Sequence, residues 1–121
     1  MEQVAMETFA FTDLLGSGNP ILVLARVSLL TTAAGGRTTP FADKYRPNHN
    51  FGSPDSHEFY IGQINVPTDT LIYPGETHDL YITFLNGAGL DETVKVGRVW
   101  RIQEGNRLIA KAMVLAIVNE A

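Results

Sequence analysis

Apolar and polar residues alternate along most of this chain with a period of two, as they do in strands that bury one face. From Ile21 to Leu30, the apolar Ile21, Val23, Ala25, Val27 and Leu29 fall on one side, with Arg26 and Ser28 on the other. Within His57 to Val66, Tyr60, Ile64 and Val66 oppose Phe59, Ile61, Gln63 and Asn65. His78 to Leu85 sets Leu80, Ile82 and Phe84 against Asp79, Tyr81 and Thr83. Val94 to Gln103 and Leu108 to Val118 predict a final pair, joined at Glu104-Gly105-Asn106-Arg107. Gly-Asn in a two-residue loop is a hairpin signal, and Pro74-Gly75 after Tyr73 predicts a second tight reversal. Short strands punctuated by Gly and Pro, with no sustained helical period, predict an all-β sandwich or small barrel. Residues 1–20 read as an N-terminal extension, with a short strand around Phe9 and Phe11 and a linker at Gly16-Ser17-Gly18-Asn19-Pro20. Residues 21–121 read as a single β domain.

Composition narrows this picture without changing it. A chain of 121 residues, 45% apolar and 18% charged, suits one domain with a modest core. The absence of cysteine excludes a disulfide scaffold and cysteine-ligated zinc. An N-terminus carrying Glu2, Glu7 and Asp13 does not read as a secretory signal. The longest apolar runs, Ile21 to Ala25 and Met113 to Val118, are too short to span a bilayer. A soluble, cytoplasmic protein with no membrane partner is the expectation. The net charge of −4 argues against bulk electrostatic attraction to nucleic acid. Yet eight of the nine basic residues fall in two windows: Arg37, Lys44 and Arg46, then Lys95, Arg98, Arg101, Arg107 and Lys111. If the windows meet in space, an acidic protein still carries one basic face.

The densest local chemistry is Gly35-Gly36-Arg37-Thr38-Thr39-Pro40-Phe41, followed by Tyr45-Arg46-Pro47. Paired glycines permit positive φ and prolines fix φ, so this loop is built to one shape. Arg37 and Arg46 then sit on a stiff support. Two roles stay open for them: hydrogen-bonding carbonyls or acids of their own domain, or offering a planar fork to a ligand.

Together with Gly62-Gln63-Ile64-Asn65-Val66-Pro67, Tyr73-Pro74-Gly75 and Glu104-Gly105-Asn106-Arg107, those strings occur in an order that resembles the C-terminal, third domain of bacterial translation elongation factor Tu. The resemblance covers roughly residues 21–118. It implies a six-stranded antiparallel closed β-barrel. It also implies candidate tRNA- or partner-binding residues: Arg37, Arg46, Asn48, Ile61, Glu104, Gly105 and Arg107. Arg37, Glu104 and Gly105 match the family's tRNA contacts. Asn48 replaces a longer glutamine, Ile61 replaces a threonine, and Asn86-Gly87 replaces a basic or His-Pro stretch. Losing such backbone contacts weakens counterion-driven affinity by about tenfold or more. No Gly-x4-Gly-Lys-Ser/Thr loop is present, so no GTP binding and no cofactor are expected. The expectation is a non-catalytic module that binds a protein partner, a translation factor or a separate GTPase subunit. The alternative is a tRNA-binding module that uses the basic loop and hairpin.

Other constellations carry less. His49, His57 and His78 lack the spacing of a metal site and read as polar residues at strand ends. Asp55-Ser56-His57 cannot form a triad, because adjacent residues on an extended chain point apart. Asp91-Glu92 reads as a solvated loop, and Trp100 as a core anchor. Phe59 and Ile61 are expected to form an outward apolar patch, the usual mark of a contact surface.

Overall fold

A computed structural model of the chain describes residues 20–85 and 90–118. The short strand expected at Phe9 and Phe11, most of the linker before Pro20, and Asn86-Gly87 lie outside the described residues. Six antiparallel strands form a closed barrel: β1 (Ile21–Leu29), β2 (Asn48–Asn50), β3 (Tyr60–Asn65), β4 (Thr77–Phe84), β5 (Val99–Glu104) and β6 (Arg107–Ile117). Around the ring their order is β1-β4-β3-β2-β5-β6, and β6 closes against β1.

The alternation in the sequence explains which side chains fill the barrel. Val23, Ala25, Val27 and Leu29 of β1 are buried, as are Leu80, Ile82 and Phe84 of β4 and Ile64 of β3. Arg26 and Ser28 point outward. Bulges between Leu24 and Ala25 and between Ile102 and Gln103 add the local twist that a small barrel needs to close. The predicted reversals are present. Gly105 takes φ 60 at the first position of the β5–β6 loop, and Gly75 takes φ 85 after Pro74.

Four expectations need correction. The loop reading of Asp91-Glu92 gives way to one helical turn, α1 (Leu90–Thr93), closed by Val94 N–H donating to Leu90 O at 2.9 Å. Leu90 and Val94 are buried while Asp91 and Glu92 stay exposed, so the turn seats its apolar residues on the core. His49 is not at a solvated strand end. It is fully buried at the centre of β2, a strand whose Asn-His-Asn sequence carries no apolar alternation. The polar face of β3 is also covered. Gln63 donates to Asn65 at 2.9 Å and Asn65 to Thr83 at 3.0 Å, so these buried amides satisfy one another. Finally, the outward apolar patch shrinks to Ile61, 52% exposed, because Phe59 is half-buried.

At the centre of the barrel, Trp100 stacks on Phe51 with ring centroids 5.0 Å apart and meets Phe84 edge-on. Its indole N–H donates to His49 Nδ1 at 3.0 Å, and His49 Nε2 lies 3.2 Å from Gly62 O. Indole is only a donor, so Nδ1 accepts and the imidazole proton sits on Nε2, where it bonds the carbonyl. Burial pushes the His49 pKa down to about 4, with the Gly62 carbonyl opposing only in part.

Candidate functional site

The Gly-Gly-Arg loop leaves β1 through a 3₁₀ turn at Thr32–Ala34, capped by Gly35 at φ 99. Gly36 is required for a different reason: a Cβ there would lie 2.5 Å from Leu30 O and 2.8 Å from Thr31 O. The loop therefore folds back against its own strand. Thr32 Oγ1 donates to Arg37 O at 2.6 Å, which fixes the arginine backbone.

Every donor of the Arg37 guanidinium is engaged. Nε bonds Thr39 O at 3.1 Å, and Nη2 reaches Thr39 Oγ1 at 3.1 Å and Pro40 O at 3.3 Å. Nη1 donates to Tyr45 Oη at 3.3 Å and to Glu104 Oε2. Guanidinium has five N–H groups, and these acceptors account for all of them. Tyr45 Oη donates to the same carboxylate oxygen, and its ring lies beneath the guanidinium, 5.0 Å from Cζ. Phe41 stacks on Tyr45 at 4.4 Å. Arg107 Nη2 approaches Glu104 Oε1 at 3.8 Å across the hairpin. The Arg37 side chain is only 18% exposed.

The electrostatics follow from this closure. Burial pushes the Tyr45 phenol pKa up, and the Glu104 carboxylate raises it further. Partial burial works against the Arg37 charge, but Tyr45 and Glu104 outweigh it and raise its pKa. Arg37 and Glu104 form a charge-balanced clamp between the loop and the β5–β6 hairpin, with Arg107 at its edge. Of the two roles left open for Arg37, the geometry realises the bonding within its own domain.

The remaining candidates lie beside this clamp. Asn48 pairs with Gln103 on one side and Ile61 on the other, so it shares an outward row with the exposed Ile61. The Tyr45–Ile64 bridge keeps the same register, and Arg46 Nε donates to Gln63 Oε1 at 3.0 Å. Gly105 and Arg107 are exposed at the hairpin. The structure thus brings Arg37, Glu104, Gly105 and Arg107 into one corner, with Arg46, Asn48 and Ile61 on the adjoining β2–β3 surface. The two basic windows meet at Glu104, which lies between Arg37 and Arg107. Tyr45, the shared partner of Arg37 and Glu104, was missed by the sequence reading. Its place inside Tyr-Arg-Pro was the available signal.

Replacing Arg37 with methionine removes charge-assisted hydrogen bonds from a half-buried site and is expected to cost about 2 kcal/mol in urea unfolding. A change under about 0.5 kcal/mol would contradict the clamp.

Among the described residues no helix is long and apolar enough to cross a membrane. No group of three His, Cys, Asp or Glu among them could hold a metal ion. Compared with models of known protein families, the sequence matches none.

Proposed function

We propose that this chain is a non-catalytic binding module, similar to the third domain of elongation factor Tu, that docks a protein partner of the translation machinery. The partner is a translation factor or a separate GTPase subunit, bound over the Arg37–Glu104 corner and the neighbouring Asn48–Ile61 surface. The reading is supported by the order of the motifs and by the six-stranded closed barrel. One observation carries the choice of partner: all the guanidinium donors of Arg37 are engaged within the barrel. An arginine in that state offers shape and neutral polarity. It has no donor left to grip a phosphate without breaking its own bonds. Beside it, Ile61 presents an apolar side chain where hydroxyl chemistry would suit a nucleic-acid backbone better. A second reading, contact with the tRNA backbone, is favoured by the exposed Arg46 and Arg107 at the same edge.

Two measurements separate these readings. In calorimetry against elongation factor Tu truncated after its second domain, the protein is expected to bind. Ile61→Asp should weaken that binding about tenfold or more, with stability changed by less than about 0.5 kcal/mol. In a gel shift at low salt, tRNA should show no complex. A tRNA complex abolished by Arg46→Glu, with no binding to the truncated factor, would establish the second reading in place of the first.

A further inference from the structure

Further along the β5–β6 ladder, away from its hairpin, β6 and its neighbours β1 and β5 carry a second surface of different character. Arg26 of β1, Met113 of β6 and Val99 of β5 are register partners in one row. Ser28, Lys111 and Arg101 form the row two residues along, and therefore share its outward face. A groove of about 220 Å³ runs between them, lined by Arg26, Ser28, Val99, Lys111, Ala112 and Met113. Val99 is 56% exposed, and Val96, in the turn leading into β5, is 65% exposed.

The charge on this face is unbalanced. Arg26 is matched by Asp79, at 3.0 and 3.2 Å, so it contributes a fixed, neutralised wall. Lys111 stands directly opposite Arg101 across the β5–β6 ladder, an arrangement of like charges that weakens a sheet. Among the described residues Lys111 makes no ion pair, and the buried Nε of Arg101 has no hydrogen-bond partner. No carboxylate lines the groove, although the chain as a whole carries a net charge of −4. Cations opposed without an acid, beside exposed valines, complement a ligand bearing both carboxylates and apolar side chains.

We propose that the groove over β1, β6 and β5 is a second protein-docking surface, occupied by an acidic peptide segment with interspersed apolar residues. Its carboxylates meet Lys111, whose positive field Arg101 reinforces from across the ladder, and its apolar side chains cover Val99 and Met113. None of the residues lining the groove belongs to the Arg37 corner, so the proposal stands whether or not that corner binds translation factors. Nucleic acid fits this face less well, because Arg26 is already neutralised and the valines offer nothing to a phosphate.

The test is a titration of the isotope-labelled full chain with three probes: a synthetic peptide of alternating glutamate and leucine, its lysine–leucine counterpart, and tRNA. The acidic peptide is expected to shift the methyl signals of Val99 and Met113, with an affinity that falls as salt rises. Lys111→Glu should weaken it about tenfold, and Lys111→Arg should retain it. Lys111→Glu sets a carboxylate opposite Arg101, so the barrel will remain folded; Val99→Asp, with the same expected loss, provides a second variant. The proposal fails if none of the probes perturbs this face. Equal binding of the basic peptide or tRNA there, or no effect of Lys111→Glu on the acidic peptide, would overturn it too.

Discussion

Lowering the pH from 7 to 4 is expected to remove about 3 kcal/mol of folding stability through one side chain, His49. Its imidazole titrates at its ordinary 6.5 in the unfolded chain and at about 4 in the barrel, where it is fully buried against Trp100, Phe84 and the Gly62 carbonyl. Between those values the unfolded chain binds the proton and the folded one does not. Stability is therefore complete above pH 6.5 and is lost as the pH falls toward 4. Protonation of Nδ1 would also remove the acceptor for the indole N–H and place a charge among aromatic rings. The exposed Glu76 carboxylate, held below its ordinary 4.5 by the Tyr73 amide and by His78, acts mainly at lower pH. Trp100 is the sole tryptophan, so its fluorescence reports the unfolding directly. In His49→Asn the slope between pH 6.5 and 4.5 should flatten even if the variant is less stable overall. An unchanged slope in that variant would show that other groups carry the effect.

The adjacent glycines of the loop are expected to respond very differently to alanine. At Gly36 the new methyl would meet backbone oxygens of Leu30 and Thr31, atoms that cannot move without breaking the end of β1. Gly36→Ala should therefore cost about 3 kcal/mol, at the upper end of overpacking. It should also loosen the Arg37 clamp, because the loop can no longer fold against its strand. At Gly35 nothing lies within 4 Å of the added carbon, and only the positive φ of 99° penalises it. Gly35→Ala should cost about 1 kcal/mol. Equal costs measured by urea unfolding would mean that the loop is shaped by backbone angle alone, not by the close approach to Leu30.

These effects also mark where the sequence was legible. From Val23 to Leu29 in β1 and from Asp79 to Ile82 in β4 the burial follows the alternation, because a half-buried strand must repeat every two positions; Leu22 and Thr83, on the other face, are covered as well. β2 left no such trace. Its single inward residue is a histidine, which resembles a surface histidine until the indole of Trp100 is seen to satisfy it. The amides Gln63 and Asn65 read as an exposed face because polar residues that bond each other leave no apolar signature. The candidate corner was half legible. Gly35, Gly36 and Pro40 announced a rigid loop around Arg37, and the resemblance placed Glu104 nearby. That Tyr45 and Glu104 would saturate the arginine depends on closure of the barrel, which brings together residues 59 positions apart. Local sequence cannot express that pairing.

The guanidinium N–H signals of Arg37, recorded by nitrogen-15 NMR with tRNA added at low salt, probe the heart of the account. If the clamp is closed as described, the Nε–H exchanges slowly with water and keeps its position at the highest tRNA concentration. Fast exchange in the free protein, or a shift on adding tRNA, would mean that this arginine is available to phosphate and that the corner is a nucleic-acid grip after all.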